Sequence, residues 1–466
     1  MNKRGRGAMR GCVVAAGVAA VLAAMPAQDA RAQAAPESID AEGGPASTTL
    51  VEQLRRGAKV GTMLRLSYFS RTKPDHNGPT AEATGLGGWL FGETGEYANT
   101  LSFGGALAYV AKITGPDGHG GNFILKDPDQ EGYSVLGVAY AKLRAENHAL
   151  MAGRLAPQYG WSLDGVYRFY NRFDGAFAGR RDVRAMIPLA FEGLSVQGKF
   201  AGETVRYYGG YLTAMKQIND DEFNDLAEAA FLPGDSDGMA YIGAQWKINP
   251  NVMLQGGHHQ VDNLLNMTWA DVDMVHRFDK SRYIRLDLQY LYQTDNGDKS
   301  LGDFSMNNIA AYLEGRWIPW FIPYAMIGRN SDEAELRSPY SLGPSYLVQR
   351  IGENAKAGEK TWILGSTFDF ETLGMKGLVF DLSVGKRTDR HVNGNTSQPL
   401  ADWTEVATDL IYTFGKEWGW AEGVRVRARW ARVWEEGAQF ANGVISDLDQ
   451  YQSDVRFDFQ WRVAFK

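Results

Sequence analysis

The sequence predicts an all-β protein: a transmembrane antiparallel β-barrel of about 18 strands, with short periplasmic turns and long outer loops. The first observation is at the C-terminus, where every second residue from Val455 to Phe465 is apolar. A period of two is typical of a strand with one apolar and one polar face. The others are an N-terminal export signal and alternating short and long connections between strand-like segments. Together they favour an outer-membrane barrel over a soluble β-sandwich.

The chain divides into three predicted parts. Residues 1–34 form a secretory signal peptide, with a basic start, an apolar stretch over 12–27 and a small-x-small cleavage site at Ala32-Gln33-Ala34. Residues 35–58 form a flexible periplasmic leader, and residues 59–466 form the outer-membrane barrel. The only cysteine, Cys12, lies in the signal peptide, so no disulfide is expected in the exported protein.

Composition excludes several other classes of protein. The 466-residue chain has a formal charge of −7, and loss of five basic residues and one acid with the signal peptide leaves −11. An acidic chain is a poor nucleic-acid binder, so we predict no nucleic-acid partner. No apolar run after residue 34 approaches the roughly 18–20 residues that a membrane helix needs.

Eighteen strand-like segments follow one another after the leader. They lie at 59–70, 84–93, 98–112, 132–145, 147–156, 190–201, 205–216, 239–248, 251–260, 266–277, 281–293, 304–316, 320–329, 359–370, 377–386, 402–414, 421–433 and 453–465. Long connections alternate with short ones, and the last long loop is predicted at 434–452. Only 261–265 is short where a long loop is expected. Long loops at alternate connections are typical of a membrane barrel.

Several segments show the two faces that a barrel strand needs. Leu286, Leu288 and Tyr290 share one face, whereas Asp287 and Gln289 share the other. Aromatic residues gather near strand ends, as at 317–324 and 403–420, where they would form girdles at the lipid headgroups. The pattern over 132–145 leaves open which way its basic side chains point.

The strongest functional signal is a set of arginines at predicted lumen positions on the first strand and the last two. They are Arg65, Arg71, Arg425, Arg427, Arg429, Arg456 and Arg462. Since the first strand of a barrel closes against the last, these arginines would form one basic wall, here called the arginine ladder. In a water-filled lumen it would attract carboxylates. Alternatively, the arginines pair with inward acids such as Asp458 and Asp381 and only hold the barrel open.

The second signal is the third outer loop, residues 157–189. A loop of this length without clear structure is more often functional than not. If it folds into the lumen, it narrows the pore, and its constriction candidates are Tyr159, Asp164, Tyr167 and Asp174. The alternative is a solvent-exposed surface loop.

Four stretches resemble the OprD-type substrate-specific outer-membrane porins. They are Ser345 to Trp362, Trp403-Thr404-Glu405, Leu64 to Arg71, and Phe191-Glu192-Gly193. The resemblance implies eighteen strands, an inward-folded third loop, and a constriction with a basic ladder on one wall and acidic and tyrosine groups opposite. It adds Tyr346 and Glu353 as constriction candidates, Glu353 standing where the family often has Asp. The final Lys466, where a terminal aromatic is usual, and the arginine-rich third loop depart from the family.

The predicted function is passive, substrate-selective diffusion of small carboxylate-bearing solutes: amino acids, small peptides, and aromatic or other organic acids. Alternatives are a general, weakly selective porin and an outer-membrane barrel hydrolase. No enzyme activity, cofactor or metal is predicted. Expected partners are outer-membrane lipid and lipopolysaccharide, carboxylate or amino-acid solutes, and the outer-membrane assembly machinery. The predicted location is the outer membrane of a Gram-negative bacterium, as a monomer or weak trimer.

Overall fold

The protein folds as one large β-sheet with a few short helical turns. The computed structural model describes residues 50–73, 79–156, 186–187, 189–200, 202, 204–338, 345, 347–352 and 354–465, with the backbone alone for Pro79 and residues 462–465. The predicted signal peptide, most of the leader and most of the third outer loop lie outside the described residues. No described helix is long and apolar enough to cross a membrane.

The first nine strands are paired antiparallel, each with its neighbours in sequence. Their bounds are β1 Lys59–Thr72, β2 Pro79–Glu93, β3 Leu101–Thr114, β4 Tyr133–Ala145, β5 His148–Leu155, β6 Ala190–Phe200, β7 Val205–Lys216, β8 Met239–Asn249 and β9 Val252–Val261. They confirm the corresponding predicted segments to within a few residues, except that β2 begins five residues earlier than predicted.

The second half continues the same sheet and closes it. Its strands are β10 Leu265–Arg277, β11 Tyr283–Asp295, β12 Ser305–Arg316, β13 Phe321–Asn330, β14 Lys360–Asp369, β15 Leu378–Thr388, β16 Arg390–Val392, β17 Asn395–Leu400, β18 Asp402–Thr413, β19 Arg425–Ala441 and β20 Val444–Phe465. Strands β16 and β17 form a separate small hairpin. The C-terminal part of β20 pairs with β1, from Val60 opposite Phe465 to Thr72 opposite Ser453. The predicted closed barrel of 18 antiparallel strands is therefore confirmed.

Two short helices and two 3₁₀ turns complete the described structure. Helix α1, Leu50–Arg55, lies against the turn after β2, where Leu54 O accepts from Gly95 N at 2.6 Å. Helix α2, Leu226–Ala229, is capped by the Asp225 carboxylate. The 3₁₀ turns are Phe370–Leu373 and Lys416–Ala421, both at the periplasmic end.

Side-chain hydrogen bonds shape the short turns. In the turn between β10 and β11, the Asp279 carboxylate accepts from Arg282 Nε at 2.6 Å and from two backbone N–H groups, those of Ser281 and Arg282. The hydrogen bond from the Arg282 side chain, followed by those from the backbone, lowers the pKa of Asp279 below its usual range. The Asp279 carboxylate therefore keeps its negative charge to a lower pH than a free aspartate does.

The strands have an apolar outer face, whereas the inner face carries polar and charged side chains beside many buried apolar ones. On β11, Leu288 and Tyr290 are exposed on the outside, while Asp287 and Gln289 are buried inside. The ambiguous segment is β4, where the register with β3 shifts between Ala106 and Leu107. The extra residue in β4 reverses which alternate side chains face the lumen. As a result Lys142 is buried, with its Nζ 2.5 Å from Glu93 Oε1.

The predicted long loop at 434–452 is wrong. Strands β19 and β20 continue far beyond the rim of the barrel and are joined by a two-residue turn, Asn442-Gly443, in which both residues have positive φ. Asn-Gly is a preferred hairpin turn of this kind. Both faces of this extension meet water, so it lacks the apolar alternation from which the other strands were predicted.

Candidate solute-binding site

The predicted arginine ladder occupies one wall of the lumen, on the adjacent strands β19, β20 and β1. Arg65, Arg427, Arg429 and Arg456 face inward and are at most 6% exposed. Arg71 and Arg425, on the same inner face, are half-buried. The backbone of Arg462 lies opposite Met63, another inward position, but its side chain lies outside the described residues.

The ladder is interleaved with acids. Asp458 on β20 binds Arg65 Nη2 of β1 at 3.2 Å and Arg456 Nε of its own strand at 3.0 Å. On β18, Asp409 accepts from Arg427 Nε at 2.7 Å and lies 3.4 Å from Arg429 Nε. Paired acids reduce the repulsion between neighbouring guanidinium groups, as the alternative interpretation of the ladder expects.

The other predicted acid, Asp381, is hydrogen-bonded to polar side chains of neighbouring strands. Its carboxylate accepts from Thr367 Oγ1 at 2.7 Å and from the Tyr324 hydroxyl at 3.4 Å. A third acid, Asp454, instead forms a bidentate pair with Arg71, both distances being 2.9 Å.

The loop between β13 and β14 extends into the lumen and adds a further arginine. Within its segment 347–352, the Arg350 guanidinium donates to Asp409 Oδ2, the same carboxylate that binds Arg427. Leu347 is fully buried among inward-facing apolar residues that include Tyr312 and Ile363. The sequence analysis singled out this stretch only by resemblance and missed Arg350 itself.

Glu405 on β18 fixes this segment to the wall. Its carboxylate accepts from Arg350 N at 2.7 Å, Ile351 N at 3.0 Å and Gly352 N at 2.8 Å. Arg387, fully buried beside it, donates to Gly352 O at 2.9 Å. Arg387 and Arg390 face Glu359 and Glu405, so the anchoring cluster contains equal numbers of cations and carboxylates.

With Arg350 included, the cluster around the ladder has an excess of positive charge. Its described cations are Arg65, Arg71, Arg350, Arg425, Arg427, Arg429 and Arg456, and the carboxylates that bind them in the described contacts are Asp409, Asp454 and Asp458. The seven guanidinium groups outnumber these three carboxylates, so the positive charges of the described contacts predominate on this wall. Their field would favour anions in the lumen.

Two small pockets meet at Arg350. One is lined by Phe69, Arg350, Arg429, Ala431, Asp454 and Arg456. Among the described residues, the buried Nη2 group of Arg429 has no hydrogen-bond acceptor, and its Nε group makes no hydrogen bond although Asp409 Oδ2 lies 3.4 Å away. The second pocket is lined by the apolar side chains of Met326, Val348, Ile363 and Ala407 and by the polar ones of Gln349, Arg350, Asp381 and Ser383. A site with cations at one end and a mixed apolar and polar surface at the other therefore lies on this wall.

The opposite wall is acidic. Strand β10 lies nine strands from β1 in either direction around the ring. The inward carboxylates of β10 to β12 are Asp271, Asp273, Asp287 and Glu314, all at most 8% exposed. Among the described cations of this region, Arg285 donates from its Nε to Asp273 Oδ1 at 2.9 Å, and Arg277 and Arg316 have the same inward parity at the strand ends. Two walls of opposite charge thus face each other across the lumen.

The close approach of the anchored segment to the wall requires glycine at position 352. A Cβ atom there would lie 2.6 Å from Arg387 Nη1 and 2.9 Å from Trp403 Cε3. We therefore expect Gly352→Ala to displace the segment and raise single-channel conductance. Gly105→Ala is the matched control, since its Cβ would meet nothing closer than 3.5 Å. Equal conductance in the two variants would contradict the close packing at Gly352.

The remaining predicted constriction residues belong to parts of the chain that the structure does not describe. Tyr159, Asp164, Tyr167 and Asp174 of the third loop lie outside the described residues, as do Tyr346 and Glu353. Sequence reasoning also missed Asp409, Glu405 as an anchor, and Arg387. The inward parity of Asp409 on β18 was a usable signal, but its partner Arg350 belongs to a distant loop.

Comparison with known proteins places the barrel in a family. The family model described as outer membrane porin, OprD family, matches residues 177–460, more than half of the chain. The chain belongs to the OprD family of outer-membrane porins. The predicted resemblance is therefore confirmed, and the family's members are outer-membrane channels for small solutes. No curated protein sequence matches the chain.

Solved porin structures share the fold at low sequence identity. The crystal structure of Pseudomonas aeruginosa OpdK with vanillate has a TM-score of 0.70 at 18% identity and covers 88% of this chain and 100% of that one. P. aeruginosa OccK9 (OpdG) has a TM-score of 0.72 at 18% identity, with 89% and 100% coverage. A BenF-like porin from Pseudomonas fluorescens Pf-5 has a TM-score of 0.70 at 18% identity, with 88% and 100% coverage. At this identity the likeness supports the fold alone.

Proposed function

We propose that this OprD-family porin admits small organic carboxylates with an apolar body, aromatic acids in particular, by passive diffusion. The observation that supports this most directly is the buried Nη2 group of Arg429, which has no hydrogen-bond acceptor among the described residues and lies in a pocket that Arg350 and Arg456 share. A carboxylate supplies the two acceptor oxygens that guanidinium groups prefer. In the adjoining pocket, the apolar side chains of Val348 and Ile363 would contact the hydrocarbon part of the solute.

The ladder would then act as a series of weak binding positions. Successive inward residues on a strand are about 6–7 Å apart, so a carboxylate could pass from one guanidinium group to the next. Each position must bind weakly enough to release, and the acids interleaved among the arginines lower the local positive potential. Carboxylates reach the ladder because of its excess positive charge.

A second proposal is that the channel prefers amino acids. The acidic wall of β10 to β12 is the observation in its favour, since it would attract the ammonium group while the ladder binds the carboxylate. In either case the third outer loop, 157–189, is proposed to narrow the lumen further. The oligomeric state, monomer or weak trimer, also stays a prediction.

A solute titration of single channels in a planar bilayer tests the proposal. We expect benzoate to block the conductance with a half-maximal concentration of about 1 mM, and arginine to need several times more. Benzamide is the matched control because it has the same ring without the charge. Stronger block by arginine would favour the amino-acid proposal, and a large conductance unaffected by all three would contradict both and indicate a general pore.

A further inference from the structure

A basic and aromatic cluster lies on the outer face of the barrel, where the lumen site does not extend. It consists of Arg432, Trp434 and Tyr451, here called the rim cluster. Arg432 and Trp434 are alternate residues on β19, and Tyr451 lies opposite Trp434 on β20. The neighbouring ladder arginines on β19 have the other parity and point inward. The rim cluster therefore faces the surroundings of the barrel.

The position of the cluster relative to the lipid layer follows from the change from apolar to polar outward side chains along three adjacent strands. On the outer face, Val426 and Trp430 of β19 and Phe457 of β20 are exposed apolar residues. Beyond them the outward positions become Arg432 on β19 and Ser453 on β20, which are directly opposed, with Thr72 of β1 opposite Ser453. The cluster lies where lipid chains give way to headgroups of the outer leaflet.

The environment of the Arg432 guanidinium is unusual for an outward cation. It lies 3.9 Å from the Tyr451 ring centroid and 5.2 Å from that of Trp434. Its Nε is buried and has no hydrogen-bond partner, and within the described part of the chain no carboxylate pairs with it. Rings on two sides hold the guanidinium in place without using its N–H donors.

Other outward cations near the same rim differ in this respect. Arg329 is 3.0 Å from Asp332, Lys360 is 2.9 Å from Asp389, and Lys386 is 3.7 Å from Asp402. In each of these exposed pairs the carboxylate neutralises the charge of the cation. Among the described contacts, Arg432 thus has no carboxylate partner, whereas each of these three cations has its own.

We propose that the rim cluster binds one phosphate-bearing sugar headgroup of lipopolysaccharide in the outer leaflet. Arg432 would donate to the phosphate oxygens, because a planar guanidinium group matches phosphate geometry. Trp434, on the same face, would pack against the sugar ring. The proposal concerns the outer surface only and does not depend on which solute passes through the lumen.

The test is a titration of the detergent-solubilised barrel with lipid A, read by native mass spectrometry. We expect Arg432→Gln to weaken lipid A binding about tenfold, as loss of charge-assisted hydrogen bonds implies. Arg432→Lys should retain part of the affinity, since lysine keeps the positive charge but lacks the planar guanidinium group that can donate two parallel hydrogen bonds. Arg329→Gln is the matched control, because it removes an outward rim cation that already has an acid partner, and it should change binding less than about twofold.

Two further probes separate the chemical sources of binding. Dephosphorylated lipid A lacks the proposed anchor and should bind the wild type as weakly as lipid A binds Arg432→Gln. Phosphatidylglycerol has a phosphate without the sugar, and equal binding of it would overturn the sugar-specific proposal in favour of any anionic lipid. Unchanged lipid A affinity in an Arg432→Gln barrel that still shows heat-modifiable migration on gels would overturn the site altogether.

Discussion

Replacing Glu405 by alanine is expected to enlarge the pore more than any other single change. Three backbone N–H groups of the segment 350–352 would lose their acceptor, and the buried Arg387 would lose one of its carboxylates. Breaking a buried charge pair in this way costs about 3–5 kcal/mol. The segment should leave the wall and take the Arg350 side chain with it, and single-channel conductance should rise about twofold or more.

The control for this experiment lies three residues earlier on the same strand. Asp402→Asn removes a carboxylate that is partly exposed and 3.7 Å from Lys386, so we expect little change in conductance. Glu405→Gln should lie between the two, because an amide oxygen replaces only part of the carboxylate. A Glu405→Ala barrel that folds normally and conducts like the wild type would show that Glu405 does not anchor the segment.

Replacing Arg429 by glutamine is expected to weaken benzoate block about tenfold, with a smaller effect on arginine. The mutation removes the N–H donors that face the pocket, and hydrogen bonds to charged groups contribute about 1.5–3 kcal/mol each. Since about 1.4 kcal/mol corresponds to tenfold in affinity, even a partly solvated contact gives a measurable shift. The half-blocking concentration in a planar bilayer is the measurement.

Arg282→Gln separates a local effect from a change in net charge. Arg282 lies in the periplasmic turn between β10 and β11, is largely exposed, and contributes the same formal charge as Arg429. Its removal should leave benzoate block within about twofold of the wild type. If both variants weaken block equally, the total charge of the protein matters and the pocket does not.

The fold could be predicted from local patterns because every membrane strand repeats the same constraint. With lipid on one side and water on the other, each strand must alternate apolar and polar residues, as from Val455 to Phe465. Because every backbone N–H and C=O group in lipid needs a hydrogen-bond partner, the sheet must close into a barrel. The prediction failed at 434–452 because this hairpin lies outside lipid, where neither face must be apolar. The prediction of which side chains of β4 face inward was ambiguous. The bulge that decides it is visible only when β4 is paired with β3, and the sequence of β4 alone does not show it.

The site was less predictable because its contacts join distant parts of the chain. The inward parity of Arg427 and Arg429 followed from alternation, and so did their place beside β20 and β1. The carboxylate that binds Arg427 lies on β18, and the same carboxylate binds Arg350 from a loop 59 residues earlier in sequence. No periodicity specifies that a loop returns to the lumen, so Arg350 and the Glu405 anchor needed three-dimensional information.

The pairing of β20 with β1 has a consequence for biogenesis. Most neighbouring strands are linked by local hairpins, but the seam joins Arg65 to Asp458, 393 residues away in sequence. Such long-range closure is slow and comes late in folding. Because the arginine ladder straddles the seam, it exists only once the final strand has been exported and docked. A chain truncated before β20 would therefore lose barrel closure and the arginine ladder in one step.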